Sequence, residues 1–255
     1  MPDAPRRLQD VTTADGYAAR ALEVIQRVSS AEDDAAVIEV LYEAKQALGV
    51  EHAAFVSFVR DDDSKESFRF FLACDPVWCL KYQQQGWYAQ DAWLLYAATN
   101  SEPICGSKIP LRTKAQREAQ ELAVRHGIVS AYLVPAPASG GLSRLGVLGL
   151  GSSQEGYFEC EAVASLKLLA RALAMELHEW WIRRVRQEII ATHRLKPDDL
   201  LLLAMERQGL STKEIVEALG VSASSVDCRF QRLATKFNMP NRRATARLAA
   251  EYGLI

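Results

Sequence analysis

The spacing of apolar and polar positions divides this chain into helical and extended stretches. Over 17–28, Ala21, Val24, Ile25 and Val28 share one helical face. Over 33–49, Val37, Val40, Leu41, Ala44 and Leu48 do the same, with Asp33 or Asp34 to open the helix and Gly49 to close it. Residues 1–14 are polar, carry Pro2 and Pro5, and are expected to fray. From 52 to 60 the period becomes two, with Ala54, Val56 and Phe58 alternating against Phe55, Ser57 and Val59. An acidic turn at 61–64 and a second extended run at 67–73 complete a predicted hairpin.

Asp75-Pro76 starts a short helix that Gly86 ends, the proline lying in the first turn, where its missing N–H costs nothing. The stretch 87–98 is rich in aromatics (Trp87, Tyr88, Trp93, Tyr96) and holds one carboxylate, Asp91. A loop around Pro103 and Pro110 leads to a helix over 113–126, a strand over 128–136, a loop at 137–141 and a returning strand over 144–151. A long helix over 159–189 places Ala162, Leu166, Leu169, Leu173, Leu177, Trp180 and Trp181 at its apolar positions. Beyond it the chain is basic and reaches the helix-stopping Pro197. This order predicts an α+β architecture: an α/β/α sandwich with an antiparallel sheet over 1–182, a linker over 183–194, and a small all-α unit over 195–255.

Within the last unit, 209–233 is patterned as two short helices joined by a tight turn. Ser211 or Thr212 can cap the first, whose apolar face is Ile215, Val216 and Leu219. Gly220 tolerates the positive φ that ends a helix, and Ser222 caps a second helix with Val226, Phe230 and Leu233 inward. Ser224, Ser225, Cys228, Arg229, Arg232 and Lys236 remain outside. A helix-turn-helix with a recognition helix and a plain bundle with a solvated basic face fit that spacing equally.

Composition narrows the classes. The 255 residues are 49% apolar and 24% charged, as in a soluble globular protein, with no charged-then-apolar leader and no membrane-spanning run; a cytoplasmic protein with no membrane partner is expected. Cys74, Cys79, Cys105, Cys160 and Cys228 are odd in number and lack paired CxxC spacing, which argues against structural disulfides and zinc. The net charge of −2 conceals a basic segment: over 225–247, Arg229, Arg232, Lys236, Arg242, Arg243 and Arg247 oppose Asp227 alone, a local charge of +5. Phosphate contacts need such concentration, although charge runs on helices are commonly solvated faces.

Catalysis finds no support. His52, His126, His178 and His193 lack metal-ligand spacing, no Gly-x-Ser-x-Gly elbow occurs, and Gly146, Gly149 and Gly151 lie in a strand with no lysine or phosphate loop after it. The aromatic segment 78–96 has the makeup of a small-molecule site, an apolar surround with a few convergent polar tips: an indole N–H donor at Trp78, a phenol at Tyr82 and a carboxylate acceptor at Asp91. The competing reading makes both tryptophans core and Asp91 a helix cap.

The order of features resembles the LuxR family of quorum-sensing transcription regulators over nearly the whole chain. The C-terminal string carries most of it: Gly209-x-Ser-x-x-Glu214-Ile215, Leu219-Gly-Val221-Ser222, Ser225-Val226, Leu233-x-x-Lys236-Phe237, Asn241-Arg242-Arg243 and Gly253-Leu254-Ile255. The resemblance favours DNA binding over the plain bundle. Trp78-x-x-x-Tyr82 followed by Asp91 resembles the family's acyl-homoserine-lactone site. It implies that Trp78 donates to a lactone carbonyl, Asp91 accepts from the ligand amide, and Tyr82 lines the acyl chain. The sequence departs from the family at several pocket positions: Cys74 stands for a tyrosine, Ala92 for a proline, Gly106 for a tryptophan that covers the lactone, and Ala131 for a glycine, while Gly149 falls near a small hydroxyl residue. Trp93 or Trp87 is left to take the lid's place.

The resemblance therefore implies a ligand-responsive regulator and no enzyme. It needs no cofactor other than a small-molecule autoinducer, read as an acyl-homoserine lactone. The alternative is a solo regulator acting without ligand or on a non-lactone compound. The expected ligand residues are Cys74, Trp78, Tyr82, Asp91, Trp93, Gly106, Ala131 and Gly149. The expected DNA residues are Ser224, Ser225, Asp227, Cys228, Arg229, Arg232, Lys236, Arg242 and Arg243. The implied partners are a two-fold symmetric DNA operator and a second copy of the chain. The candidate dimer surfaces are Leu166, Leu169, Leu173 and Leu177, and Ala246, Ala249 and Ala250 near the C-terminus, with ordinary packing inside the monomer equally open.

Overall fold

A computed structural model describes residues 7–59, 68–137 and 144–255. Arg60, the turn at 61–64, Ser67 and residues 138–141 of the expected loop lie outside the described residues. Two compact units are present, dividing between Trp180 and Trp181.

The first unit is an α/β/α sandwich. Its helices include α1 (Leu8–Thr12), α2 (Tyr17–Ile25) and α3 (Asp34–Leu48), the last capped by Asp33, whose carboxylate accepts from the Ala36 N–H, and closed by Gly49 at φ 77°. The helix α1 corrects the expected fraying after residue 7. Leu8 is buried, and Val11 packs so close to Gly49 that a Cβ there would lie 2.5 Å from a valine methyl. Strands β1 (His52–Val59) and β2 (Arg69–Ala73) pair antiparallel, placing Ala54 opposite Leu72 and Val56 opposite Phe70. Then come α4 (Pro76–Gln84), a 3-10 turn (Trp87–Ala89), α5 (Ala92–Thr99), the short β3 (Ile104–Cys105), α6 (Lys114–Arg125), β4 (Ser130–Ala136) and β5 (Arg144–Ser152). The antiparallel sheet has the order β2-β1-β5-β4-β3. The edge strand β3 is absent from the sequence expectation because two residues carry no periodicity to read.

Strand parity sorts the sheet into two faces. Phe55, Phe71 and Gly146 face α3 and the long helix α7 (Val163–Thr192), where Phe71 meets Trp180 edge-on at 5.4 Å. Ala54, Val56, Phe70 and Leu72 take the opposite face, toward α4 and α5. Leu166, Leu169, Leu173 and Leu177 are all buried in the core of the unit. They are not the exposed dimer stripe considered from sequence. The large exposed apolar residues of α7 are Leu168, 71% exposed, and Met175, one heptad on and on the same side.

Because α7 runs to Thr192, the expected linker 183–194 is helical over all but its last two residues. No helix among the described residues is long and apolar enough to cross a membrane.

The second unit holds α8 (Pro197–Arg207), α9 (Thr212–Leu219), α10 (Ala223–Lys236) and α11 (Arg242–Glu251). Their core is built from Leu202, Leu203, Ile215, Val226, Phe230, Leu233 and Ala249 with their neighbours. Ala246 and Ala249 lie inside that core, which removes them from the candidate dimer surface. The turn between α9 and α10 is written in local chemistry. Ser211 and Glu214 form a reciprocal capping box, Gly220 ends α9 at φ 64°, and the Ser222 hydroxyl accepts from the Ser225 N–H.

Candidate ligand cavity and helix-turn-helix face

The sheet face that carries Ala54, Val56, Phe70 and Leu72 does not close onto α4 and α5. Between them lies a cavity of about 740 Å³ including its mouth. Small side chains on the strands make this room. Ala131 and Gly149 both line the cavity, and a Cβ at Gly149 would approach no atom closer than 3.8 Å.

Trp78, Tyr82, Asp91 and Trp93 form the polar-tipped wall, bordering the cavity on one side and a smaller recess toward α6 on the other. Trp78 lies in α4, whose start is fixed twice by Asp75, which accepts from the Val77 N–H at 2.8 Å and bonds the His126 ring at 2.6 Å. That bond to His126 is the main reason the Asp75 carboxyl titrates below its ordinary value. Trp78 stacks obliquely on Tyr82 at 5.5 Å, and its indole N–H is buried with no hydrogen-bond partner. An unmet buried donor costs about 1–3 kcal/mol, so this N–H is poised for an acceptor.

Asp91 is the helix cap considered from sequence, and it also lies on the cavity wall. One carboxylate oxygen caps α5, accepting from the Trp93 N–H at 2.8 Å and the Leu94 N–H at 3.0 Å, while the group also lines the cavity. Burial pushes its pKa up, against the pull of the Leu94 N–H, the Tyr82 hydroxyl and the Trp93 N–H. Burial raises the Tyr82 phenol well above its ordinary value, and the neighbouring Asp91 charge adds to this. His52, also on the cavity wall, is shifted down by burial and so favours the neutral ring.

Of the expected ligand residues, Cys74, Trp78, Tyr82, Asp91, Trp93, Ala131 and Gly149 come together around this space. Gly106 does not line it. A Cβ there would sit 3.3 Å from the Trp93 ring and 3.3 Å from Ala131, so Trp93 already fills the ground a larger residue at 106 would need. Trp87 stays outside the cavity, edge-on to Tyr82 at 6.2 Å. Unforeseen wall residues include Cys79, Gln83, Leu94 and Ile128, together with residues of β1, β2, β4 and β5; the period-two pattern of β1 and β2 was the available signal. Among the described residues no cluster of three His, Cys, Asp or Glu is placed to hold a metal.

On α10, Ser224, Asp227, Cys228 and Arg232 are exposed and Ser225 and Arg229 partly so. The Ser224 hydroxyl lies 3.0 Å from the capping Ser222 hydroxyl. Several basic groups are already engaged within the unit. Arg232 bonds the buried carboxylate of Asp199 at 2.8 Å, Arg229 lies 4.0 Å from Asp198, and the Lys236 ammonium donates to the Arg194 carbonyl at 3.1 Å. Arg242 is tied to Glu206 at 3.0 Å and to the Thr212 hydroxyl at 2.9 Å, with its guanidinium over the Phe230 ring. It therefore fastens α11 to α8, α9 and α10. Arg243 beside it is exposed, with no side-chain partner among the described residues.

Residues 33–179 match the family model of the autoinducer binding domain, more than half of the chain. Solved structures share the fold. Escherichia coli SdiA superposes with a TM-score of 0.68 at 18% identity, covering 94% of this chain and 99% of that one. SdiA in complex with octanoyl-rac-glycerol gives 0.67 at 19% identity, covering 94% and 97%. The N-acylhomoserine-lactone-dependent LuxR-family factor CepR2 of Burkholderia cenocepacia gives 0.50 at 14% identity, covering 65% and 99%. No curated protein sequence matches the chain significantly. With a sandwich, a cavity between its sheet and α4–α5, and this match across 33–179, the chain belongs to the autoinducer binding domain family.

Proposed function

We propose that this chain is a cytoplasmic, ligand-responsive transcription regulator that binds DNA through α9 and α10 and senses a neutral acyl compound in the cavity beside α4. The observation that carries the ligand reading is the buried, unpartnered N–H of Trp78 on the same apolar cavity as the carboxylate of Asp91. A ligand with a carbonyl for the first and an N–H or O–H for the second completes both, while an acyl chain fills the space left by Ala131 and Gly149. An acyl-homoserine lactone has those groups.

A second reading, an acyl compound without the lactone ring, is favoured by Cys74 in place of a hydroxyl donor and by Trp93 occupying the ground over Gly106. SdiA, which shares the fold, has a structure in complex with an acyl glycerol.

For DNA, Ser224, Ser225, Asp227 and Cys228 are the groups offered to base edges, with Arg229, Arg243 and, on release from Asp199, Arg232 for phosphates or guanines. A homodimer on a two-fold operator would use the exposed side of α7 at Leu168 and Met175.

The test is thermal unfolding with a panel of N-acyl homoserine lactones and octanoyl-rac-glycerol, followed by salt-titrated DNA binding with the best compound. A concentration-dependent rise in Tm with one acyl class supports the reading. If no compound shifts Tm and binding to DNA shows no salt dependence, both halves of it fail.

A further inference from the structure

Two thiols face each other in the wall of the cavity. Cys74 follows the last residue of β2, and Cys79 lies in α4 one residue beyond Trp78. Both are buried, both line the cavity, and their sulfurs are 3.5 Å apart. The other cysteines differ: Cys160 and Cys228 are exposed, and the Cys105 thiol is turned onto the Phe158 carbonyl at 3.2 Å.

We propose that Cys74 and Cys79 are a dithiol–disulfide switch in the cavity wall, oxidised by hydroperoxides small enough to enter the cavity. The Cys74 thiolate attacks the distal oxygen of the peroxide, forming a sulfenic acid and releasing an alkoxide that takes up the proton as alcohol, or water from hydrogen peroxide. The Cys79 thiol then attacks the sulfenic sulfur, its proton leaves with the hydroxyl as water, and the S–S bond closes. Two thiols lose two electrons, and one peroxide is reduced.

The charge beside Cys74 sets the order of events. Either sulfur can donate in the bond they share; that bond holds the Cys74 thiol below its ordinary value, with the Lys45 ammonium helping, and holds Cys79 well above its own. Lys45 reaches this corner because its Nζ donates to the Ala73 carbonyl at 3.3 Å. Cys74 is thus the nucleophile and Cys79 the resolving thiol.

The bond has a mechanical consequence. A disulfide spans about 2.05 Å, so the sulfurs must close by about 1.5 Å from their 3.5 Å separation. Cys74 adjoins a paired strand end, Ala73 opposite Ala53, so the movement falls on the first turns of α4. Those turns carry Trp78 and Tyr82. Oxidation therefore displaces the ligand-facing wall, and only this last consequence rests on the proposed ligand reading.

The test uses the full chain with Cys160→Ser and Cys228→Ser, treated with hydrogen peroxide, denatured, alkylated and mapped by peptide mass. The expected product loses both alkylations at 74 and 79 and two hydrogens, and dithiothreitol restores them. Cys79→Ser should stop at a sulfenic acid on Cys74 that dimedone traps, and Cys74→Ser should leave Cys79 alkylatable. Hydrogen exchange over 76–84 should change on oxidation, and a compound that stabilises the reduced protein should bind roughly tenfold more weakly. Two thiols still alkylated after peroxide, no dimedone adduct in Cys79→Ser, or a disulfide with unchanged exchange over α4 would each overturn the switch. A reduced protein that binds no compound of the panel counts against the ligand reading, and the peptide masses still decide the switch.

Discussion

Replacing Trp78 by phenylalanine separates a ligand donor from a core aromatic, because the two roles predict opposite balances. In the unliganded protein the indole N–H is buried without a partner, a penalty of about 1–3 kcal/mol that phenylalanine does not carry. The smaller ring gives up on the order of 40 Å² of apolar contact, about 1 kcal/mol at roughly 25 cal/mol per Å². The balance runs from zero to about 2 kcal/mol in favour of phenylalanine, so Tm should hold or rise by up to about 8 °C, taking about 2–4 °C per kcal/mol for a chain of this size. In the complex the change leaves a ligand carbonyl buried and unmet, about 1–3 kcal/mol, or about 5- to 150-fold in Kd. The assay is isothermal titration with the compound that most raises the wild-type Tm, beside thermal unfolding without ligand. Affinity within about twofold of wild type, together with a Tm drop beyond about 6 °C, would show that the indole only fills space.

Other substitutions and conditions separate roles in the same way. Gly146→Ala places a methyl 2.6 Å from the buried Phe55 ring and 3.0 Å from His178, and should destabilise the sensor unit by about 1–3 kcal/mol in urea unfolding. Arg242→Ala strands the Glu206 carboxylate, whose side chain is 9% exposed, and should cost on the order of 2 kcal/mol of C-terminal unit stability, whereas the exposed Arg243→Ala should leave Tm unchanged and lower the salt slope of DNA binding by about one. The raised pKa of Asp91 means its contribution to stability is fully present below the unfolded value of 3.8 and is lost as pH rises through the folded one. A ligand N–H donating to the ionised carboxylate reverses this, so affinity should rise with pH across that window and Tm without ligand should fall, two trends that calorimetry at a series of pH values reads directly.

What could be read from the chain depended on how local the cause was. The helix-turn-helix is encoded within a few residues: the Ser211–Glu214 box, Gly220 and the Ser222 cap, with Val226, Phe230 and Leu233 inward as their spacing predicts. The Asp91 cap was legible because a carboxylate at the start of a helix accepts from the N–H groups just after it. Causes carried by distant partners were not legible. Nothing near Arg242 in sequence announces Glu206, and an apolar stripe on α7 cannot say whether Leu166 and Leu173 meet another chain or their own sheet. The place of Gly106 depends on Trp93, a residue of α5 that reaches it only once β3 and β4 have paired. The helix α1 escaped notice because five residues are too few for a period, and what holds it is Leu8 in the core and Val11 against Gly49.

The cavity around Asp91 holds a carboxylate, a histidine that favours its neutral form and, among the described residues, no lysine or arginine on its wall. Such a chamber sorts molecules by charge before it sorts them by shape. An acyl chain ending in a free carboxylate must shed its water with no cation to receive it and must face a like charge, which costs several kcal/mol. Esters, amides and alcohols enter without that cost. If the ligand is the neutral acyl compound proposed above, a hydrolase that opens it to the acid would silence this protein without removing one carbon from the signal.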